Sequence, residues 1–370
     1  MANYRLNSLQ NWMEKEGIDL VVVEDTEGRR NASLRYLCGH PSDAVFFFHS
    51  SGASLLVAWD LPLAEIYGTA DALVAYSEFQ RSPVQAIAGV ARRFGLSRNA
   101  RIELPPNMPV PLVENLRIEA PEFIFLCREN GAEAQITELR SIKDAAELDI
   151  YREAAGITNQ VIGKLVQGFR DRLFPTELDA ALFIEREIRQ AGAEGTGFET
   201  IVANPARSFG IHAYPSFSNA ALDLKGPTII DFGVKLKGYT TDVTLTLITG
   251  SLSPEQERMG ALVEEACAAA EAALAPGVPS SSVARRVDEV FSREGFSMPH
   301  SLGHAIGLET HENPVLRDRR ELDTLLQPGM VLAVEPGLYH TEFGGFRKEN
   351  DYLITDKGAE KLTQSGIFRV

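Results

Sequence analysis

The sequence predicts an α/β (α+β) chain of two domains, both built from a mixture of strands and helices. At 370 residues the chain is long enough for two domains of ordinary size. The first third alternates short apolar strands with helices, whereas the remainder has long helices followed by groups of strands. The composition, 44% hydrophobic and 24% charged, is typical of a globular protein with a packed core.

The first domain is predicted to extend over residues 1–130. Its first helix is "RLNSLQNWMEKEG", in which Leu6, Leu9 and Met13 recur at helical spacing before Gly17. The segment "IDLVVV" predicts a buried strand, and "DAVFFFHSSGASLLVAW" has the pattern of a hairpin. Further strands are predicted at "ALVAY", "RIEL" and "EFIFL", around the helical "PVQAIAGVARRF". The polar "CRENGAEAQ" then marks the boundary between the domains.

The second domain, residues 131–370, is predicted to contain one order of elements twice. Helices over about 144–169 and about 177–191 precede strands between "FETIVAN" and "LTLITG". The order then recurs, with a helix capped by Ser253 and Gln256, a helix over "SSVARRVDEVFSREG", and strands near "MVLAVEP" and "GFRKENDYLIT". Two helix pairs on strands predict a sheet backed by helices, whose other face is free to form a site.

Charge and cysteine usage limit the environment and the partners. The formal net charge of −15 argues against a nucleic-acid groove or an anionic membrane as a partner, because both require a basic face. The three cysteines lie far apart in the sequence without a Cys-x-x-Cys pair, which suits a reducing compartment. The sequence contains neither a secretory h-region nor an apolar run near the roughly 18 residues of a membrane span. We therefore expect a soluble cytoplasmic protein.

Two aspartates lie inside the predicted strands of "IIDFGVKLKGYTTDVTLT". Asp231 and Asp242 are 242 − 231 = 11 residues apart, and this odd separation places them directly opposite each other in a hairpin that has an even loop and no bulge. Their Cβ atoms would then be about 4.5–5.5 Å apart. Because like charges in this position destabilise a sheet, the arrangement requires a cation. The alternative is an exposed aspartate at each strand end.

Further metal-ligand types follow in the second half of the domain. His304 and His311 lie in the Gly-rich "SLGHAIGLETHENP", Glu335 ends the strand "LAVE", and Glu349 is predicted within the strand "GFRKENDYLIT". Singly, such residues are usually a satisfied histidine or a strand end that faces water. Together with the two aspartates, they give four carboxylates and an imidazole without a thiolate. Two divalent cations would balance the four charges, and the donor set suits Mn²⁺, Co²⁺ or Zn²⁺.

At these residues the sequence resembles the pita-bread metallopeptidases, specifically the prolidase and aminopeptidase P group. The resemblance covers nearly the whole chain, from a creatinase/prolidase-like N-terminal α/β domain through "ELRSIKDAAELDIYREAA" to a complete pita-bread catalytic domain with a pseudo-twofold repeat. It implies five metal ligands: Asp231 in "IDFG", Asp242 in "GYTTDVT", His304 in "GHAIG", Glu335 in "VEPG" and Glu349 in "RKEN".

The resemblance also implies how these residues share two metal ions. Oxygens of Asp231 or Asp242 chelate or bridge, and Glu349 bridges the pair. His304 and Glu335 complete the shell of one ion. Of the three metals, the resemblance favours Mn²⁺, with Co²⁺ and Zn²⁺ as alternatives.

Four residues are expected to act on the substrate or to support the ligands. By resemblance, His212 in "FGIHAYP" and His311 in "THENP" bind the substrate or the tetrahedral intermediate. Glu335 carries a proton toward the leaving nitrogen, and Arg347 of "RKEN" supports the ligands. The reaction expected from such a site is hydrolysis of a peptide-like bond.

The resemblance favours an Xaa-Pro dipeptidase or aminopeptidase that acts on short peptides as a homodimer. Three alternatives remain: a creatinase-like enzyme that cleaves a non-peptide C–N bond without metal, a metal-dependent hydrolase of a non-peptide amide, and a non-catalytic binding protein. The presence of all five ligand residues disfavours the first and third alternatives. Whether the chain is a dipeptidase or an aminopeptidase depends on loops that close or open the far end of the groove.

The sequence departs from the group's pattern at several positions beside these residues. The segment "NPARSFGIH" replaces the Gly and Asn that usually precede the substrate histidine, and Leu245 stands where an Arg commonly follows the second aspartate. Lys348 and Asn350 flank Glu349 where Ile and Asp are frequent. These departures leave every expected ligand in place, and we expect them to alter the shape of the substrate site.

Overall fold

The computed structural model describes residues 2–319 and 323–370. The chain divides into two compact units, Met1–Arg140 and Ser141–Val370. This division lies 140 − 130 = 10 residues after the boundary expected near residue 130.

The helix that follows the expected boundary explains the difference. In this helix, Glu133 accepts hydrogen bonds from Asn31 Nδ2, at 3.0 Å, and from Ser33 Oγ. Ile136 of the same helix is fully buried. The helix therefore belongs to the first unit, and the polar "CRENGAEAQ" lies inside that unit instead of between the domains.

The first unit surrounds its sheet with helices. Its described helices are α1 (Ala2–Glu16), α2 (Ala32–Cys38), α3 (Leu61–Tyr67), α4 (Pro83–Arg93), α5 (Val110–Glu119) and α6 (Ala132–Ser141). The predicted α1 and α4 are confirmed, whereas α2 and α3 were not predicted because seven residues are too few to show helical periodicity. Both short helices begin at a polar cap, Asn31 and Asp60 respectively.

The strands of the first unit form one mixed sheet in its described part. They are β1 (Leu20–Asp25), β2 (Ala44–His49), β3 (Ser54–Ala58), β4 (Ala72–Ala75), β5 (Arg101–Leu104) and β6 (Ile124–Cys127), in the order β4-β3-β2-β1-β5-β6. The predicted β2–β3 hairpin is present with an antiparallel register. Apolar side chains of β1, β2 and β5 pack against α4 and α5 in the core of the unit.

The second unit contains the predicted helix pairs. They are α7 (Ala145–Arg170) and α8 (Glu177–Gln190), then α9 (Pro254–Ala273) and α10 (Ser280–Arg293). The predicted cap of α9 is confirmed, since Ser253 accepts from the Gln256 amide and the Gln256 side chain accepts from the Ser253 amide. The order of elements recurs in the two halves as predicted.

The strands of the second unit are divided among several sheets. They are β7 (Gly195–Thr196), β8 (Ile201–Ala203), β9 (Gly226–Phe232), β10 (Val234–Leu236), β11 (Tyr239–Thr240), β12 (Val243–Thr249), β13 (Gly303–Ala305), β14 (Glu312–Leu316), β15 (Val331–Val334), β16 (Gly337–His340), β17 (Gly344–Arg347), β18 (Asn350–Thr355), β19 (Gly358–Lys361) and β20 (Ile367–Arg369). Over the described residues the larger sheets have the orders β20-β12-β9-β8 and β14-β13-β15-β18-β19.

The predicted packing of helix pairs on strands is confirmed, but the strands form more than one sheet. Apart from β20, the strands of each larger sheet come from one half of the repeat, so each half forms its own sheet. The helices α7 and α8 share an apolar core with β9 and β12. The helices α9 and α10 share another with β13 and β15.

The register of the β9–β12 hairpin differs from the expected one. Asp231 pairs with Thr244, so Asp242 is a diagonal neighbour two positions away on the same face. The reason is the turn, which uses Lys237 (φ 50°) and Gly238 (φ 89°). Two consecutive positive φ angles fit the tight hairpin turn that favours glycine at its second position. The expected opposition of the two aspartates is therefore wrong, although both still lie on one face of the hairpin.

The three cysteines, Cys38, Cys127 and Cys267, are free. Burial raises the pKa of the Cys38 and Cys267 thiols to about 12, so both remain protonated at neutral pH. No helix among residues 2–319 and 323–370 has the length and apolar character needed to cross a membrane.

Candidate metal centre

A cavity of about 350 Å³ opens in the second unit. It is lined by all eight residues that the sequence analysis singled out: His212, Asp231, Asp242, His304, His311, Glu335, Arg347 and Glu349. The cavity is also lined by Phe198, Glu199, Ile201, Ser216 and Thr310. The eight residues, which extend over 349 − 212 = 137 positions of the sequence, thus share one site.

The two aspartates come from the β9–β12 hairpin. Asp231 lies in β9, where its Oδ2 accepts a hydrogen bond from Arg347 Nη2 at 2.7 Å. Its Oδ1 is buried and has no hydrogen-bond partner among the described residues. Asp242 lies just before β12, and its main-chain N–H donates to Asp351 Oδ2 at 3.0 Å. One oxygen of Asp231 is therefore oriented and the other is available to a ligand.

His304 is presented by β13, which runs very close to β15. A Cβ atom at Gly303 would lie 2.0 Å from the Ala333 carbonyl oxygen, so this approach requires glycine. His304 Nδ1 lies 3.1 Å from the Ala305 carbonyl oxygen, to which it can only donate. Burial lowers the pKa of His304 to about 4, so the neutral ring keeps a lone pair on Nε2.

The Nε2 atom of His304 faces two carboxylates of the cavity. It lies 3.8 Å from Asp242 Oδ2 and 3.9 Å from Glu335 Oε1. Glu335, predicted as the last residue of its strand, directly follows β15, and its main-chain N–H donates to the Leu302 carbonyl at 2.8 Å. These contacts join the β13 and β15 strand ends at the cavity.

Glu349 lies in a two-residue break between β17 and β18, so its predicted position within a strand is wrong. At the break, its main-chain N–H donates to the Thr244 carbonyl of β12 at 3.0 Å. The Glu349 carboxylate accepts from Thr244 Oγ1 at 2.7 Å. Glu349 is thus tied to the strand that follows Asp242. Ligand atoms of Asp242, His304 and Glu349 all lie within 4.8 Å of one another.

Arg347 is a buried arginine at the centre of the site. Besides Asp231, it donates to Thr244 Oγ1 at 2.8 Å through Nε. Its Nη1 donates to the Tyr339 hydroxyl at 2.9 Å and to the Ile211 carbonyl at 2.8 Å. Arg347 therefore fixes Asp231 directly, and it reaches Glu349 through the hydroxyl of Thr244.

The carboxylates of the cavity raise one another's pKa values. Burial and then Glu349 hold the pKa of Asp242 well above its usual range, and burial and then Glu335 do so for Glu349. Burial raises the pKa of Glu335 to about 7. It also raises that of Asp231, although Arg347 opposes the shift. In the absence of further positive charge, the site resists full ionisation, so it has the electrostatics of a cation site.

Two more histidines face the same cavity. His212 is exposed and belongs to the segment between β8 and β9. The His311 ring lies 4.3 Å from the His304 ring, centroid to centroid. Burial and the neighbouring His212 lower the pKa of His311. The structure thus brings together both histidines that the sequence analysis assigned to the substrate.

Sequence reasoning missed several residues around this site. His300 Nε2 lies 3.0 Å from the Tyr339 hydroxyl, and His300 Nδ1 lies 3.9 Å from Glu335 Oε2. Its position four residues before His304 was a usable signal. Thr244 lies in a strand, where threonine is a common residue, and Asp351 lies two positions after Glu349, which was already taken as the ligand of that segment. The contacts of Thr244 and Asp351 therefore have no signal in the sequence.

The fold and this donor set define a class of protein, since four carboxylates and several imidazoles around one cavity are typical of metal-dependent hydrolases. Residues 149–356, which are 208 of the 370, match the family described as Metallopeptidase family M24. Residues 5–117 match the Creatinase/Prolidase N-terminal domain. The chain belongs to metallopeptidase family M24 and has a creatinase/prolidase-type domain at its N-terminal side.

Individual relatives agree with this family. The Bacillus subtilis (strain 168) protein YkvY is 34% identical over 63% of this chain and 63% of its own length. The Xaa-Pro dipeptidase of Pyrococcus furiosus is 33% identical over 62% of this chain and 65% of its own length. The crystal structure of the X-Pro aminopeptidase from Thermotoga maritima MSB8 matches with a TM-score of 0.81 and 25% identity, covering 97% of this chain and 100% of that one.

Proposed function

We propose that this protein is a peptidase that uses two divalent cations to hydrolyse short peptides with proline after the scissile bond. The observation that supports it most is the gathering of four carboxylates around a single buried arginine in one cavity. Two divalent cations would neutralise the four negative charges. The names of the relatives, an Xaa-Pro dipeptidase and an X-Pro aminopeptidase, support the choice of substrate.

The proposed metal ligands are Asp231, Asp242, His304, Glu335 and Glu349. Their chemistry fits such a pair of ions, because the donors are carboxylate oxygens and one neutral imidazole nitrogen. The unpartnered Asp231 Oδ1 and the inward Nε2 of His304 support this assignment. Among candidate metals, Mn²⁺ suits so oxygen-rich a set, and Co²⁺ and Zn²⁺ are alternatives.

When bound, the ions supply a Lewis acid for the scissile carbonyl and lower the pKa of the attacking water. His212 and His311 would then donate hydrogen bonds to the oxygen of the reacting carbonyl, where negative charge develops. Glu335 would accept the proton of the attacking water and deliver it to the leaving nitrogen. Its side chain is 17% exposed, compared with 5–11% for Asp231, Asp242 and His304, so it is the most solvent-exposed of these four proposed ligands.

Arg347 would act on the ligands. Its Nη2 hydrogen bond holds Asp231 Oδ2 and leaves Oδ1 for a cation. Hydrogen bonds of this kind around ligands orient them and tune their affinity.

Hydrolysis assays on matched peptides test the proposed reaction. We expect Mn²⁺-loaded protein to cleave Ala-Pro or Ala-Pro-Ala and to act far less on Ala-Ala and Ala-Ala-Ala. Cleavage of the dipeptide alone would identify a dipeptidase, whereas cleavage of the tripeptide after its first residue would identify an aminopeptidase. If neither proline peptide is hydrolysed by protein with verified metal content, the proposed substrate class is wrong.

We also propose that the protein is a cytoplasmic homodimer. The three free cysteines suit a reducing compartment. In the first unit, Trp59, Ile66 and Tyr67 are exposed by 57%, 73% and 53%, and exposed apolar side chains of this size are common at protein interfaces. Sedimentation velocity of the full chain should give a mass near twice 40.6 kDa. A monomer over the whole concentration range would remove the dimer from the proposal.

A further inference from the structure

The segment that contains His212 is long and irregular. It joins β8 to β9 over residues 204–225, and we call it the 204–225 loop. A connection of this length without a helix or strand among its described residues depends for its conformation on individual contacts of its main chain and side chains. One of the main-chain contacts is the hydrogen bond from the Val202 N–H to the Ser216 carbonyl at 2.9 Å. The position of His212 is therefore determined by whatever anchors this loop.

Two arginines hold main-chain carbonyl groups on either side of His212. Arg347 Nη1 donates to the carbonyl of Ile211, the residue just before the histidine, at 2.8 Å. Arg207 Nη2 donates to the carbonyl of Pro215, three residues after it. Arg347 belongs to the centre of the site, whereas Arg207 belongs to the loop itself.

Arg207 is anchored on a buried carboxylate outside the loop. Glu177, the first residue of α8, has a fully buried side chain and accepts from Arg207 Nη1. The same carboxylate accepts from Ser218 Oγ at 2.7 Å and from the Asn204 main-chain N–H at 2.9 Å. Glu177 thus gathers groups from both ends of the loop onto a helix end, where a carboxylate is favoured by the helix dipole.

We propose that Arg207 is a positioning residue that fixes His212 by connecting Glu177 to the Pro215 carbonyl. The functional part of this inference rests on the proposed role of His212 in peptide hydrolysis. The planar guanidinium can donate to both acceptors at once, which the single ammonium of a lysine cannot do in the same geometry. Arg207 lies in the "NPARSFGIH" segment, where the sequence departs from the pattern of the prolidase group.

Hydrogen–deuterium exchange tests the positioning itself without any substrate. The variant Arg207→Met keeps the aliphatic stem and removes both donors. We expect faster amide exchange in peptides covering residues 209–216, with unchanged exchange in α7 and α9. The matched control is Arg258→Met, because Arg258 forms an exposed pair with Glu294 at 2.6 Å on another surface. Unchanged exchange in the loop of Arg207→Met would overturn the proposal whatever the substrate is.

Kinetics test the connection to His212. We expect Arg207→Met to lower kcat roughly 10- to 100-fold, the cost of a slightly misplaced catalytic group, with a smaller change in KM and unchanged metal content. The control Arg258→Met should retain wild-type kcat. Arg207→Lys keeps a positive charge beside the buried Glu177 carboxylate, so the folded state should not be destabilised by an unpaired charge. This variant should lose part of kcat because it cannot also hold Pro215.

A double-mutant cycle separates positioning from general stability. If Arg207 acts through His212, Arg207→Met should cost little further kcat in a His212→Ala background. Full additivity of the two losses would contradict the proposal. If the wild-type enzyme cleaves no Xaa-Pro peptide, the proposed function fails, and the exchange experiment still decides whether Arg207 positions the loop.

Discussion

Buried carboxylates of the first unit differ from those of the cavity in the number of cations that accompany them. In the first unit, Glu24 pairs with Arg29 at 2.7 Å and Glu103 pairs with Arg128 at 2.8 Å. In the cavity, four carboxylates surround Arg347, which forms an ion pair with Asp231. The first arrangement is nearly neutral within the protein, and the second has an excess of negative charge.

The difference in the number of accompanying cations is not a difference between the two units as wholes. In the second unit, outside the cavity, Glu312 is almost fully buried and pairs with Lys143 at 3.2 Å. Burying a carboxylate without a partner is costly, so an unpaired group persists where it has another use. The contrast teaches that the cavity, and not the fold as a whole, is adapted to receive positive charge from outside the chain.

The largest effect is expected from removing one charge of the cavity. Asp242→Asn should lower metal content and abolish measurable activity. It should also raise the melting temperature of the chelator-treated protein, because it relieves the repulsion between Asp242 and Glu349. Metal analysis, peptide assays and thermal unfolding check these outcomes. The control is Asp223→Asn, an exposed residue of the 204–225 loop. A melting temperature of metal-free Asp242→Asn below that of the wild type would contradict the repulsion.

The histidines of the cavity should divide into two groups. His212→Ala and His311→Ala should slow turnover about 10²-fold or more while metal content stays near wild type, because they would remove hydrogen-bond donors to the reacting oxygen. His304→Ala should instead reduce metal occupancy. Parallel metal analysis and kinetics distinguish the groups. Equal metal loss in His212→Ala and His304→Ala would show that the division of roles is wrong.

A smaller effect is expected at Thr244, which contacts both Glu349 and Arg347. Thr244→Val keeps the shape and removes the hydroxyl, so we expect metal affinity to fall about 10- to 100-fold. Thr228→Val is a matched control, because the buried Thr228 hydroxyl of β9 has no hydrogen-bond partner among the described residues. Equilibrium dialysis with Mn²⁺ measures both variants. Similar Mn²⁺ affinities in the two variants would show that the Thr244 hydroxyl does not help to hold the metal ligands.

The smallest effect on activity is expected in the first unit. Arg128→Met leaves the buried Glu103 carboxylate without its arginine, and the free energy of unfolding should fall by about 1–3 kcal/mol. Denaturant unfolding measures this loss, and the exposed Arg117→Met, paired with Glu114, is the control. Metal content and kcat should remain at wild-type values. A loss of metal in Arg128→Met would show that the arginine-paired carboxylates of the first unit and the carboxylates of the cavity do not act independently.

The sequence predicts the elements of the fold better than their pairing. Apolar periodicity and caps such as Ser253 identify the long helices, because these signals are local. The register of the β9–β12 hairpin depends on which two residues form the turn, and the choice of Lys237 and Gly238 moves Asp242 away from the position opposite Asp231. The assignment of α6 to the first unit depends on contacts with residues about 100 positions earlier, which periodicity does not contain.

The residues of the candidate site were predictable because chemistry and motif agree on them. Carboxylates within or beside apolar segments are conspicuous in a sequence. Asp231, Asp242, Glu335 and Glu349 are of this kind, and together with His304 they line the cavity. Their supporting contacts were not predictable. Thr244 is an ordinary strand residue by sequence, and the anchoring of Arg207 on Glu177 joins residues 30 positions apart. Such contacts are created only when the elements pack.

A metal titration of the apoprotein tests the central claim most directly. Isothermal titration of chelator-treated, dialysed protein with Mn²⁺, followed by metal analysis, counts the ions bound to each chain. We predict two bound ions per chain, a melting temperature that rises with Mn²⁺ because the ions bind the folded state, and peptidase activity that returns with occupancy. Absence of stoichiometric Mn²⁺, Co²⁺ or Zn²⁺ binding, or full peptidase activity in verified metal-free protein, would contradict the account.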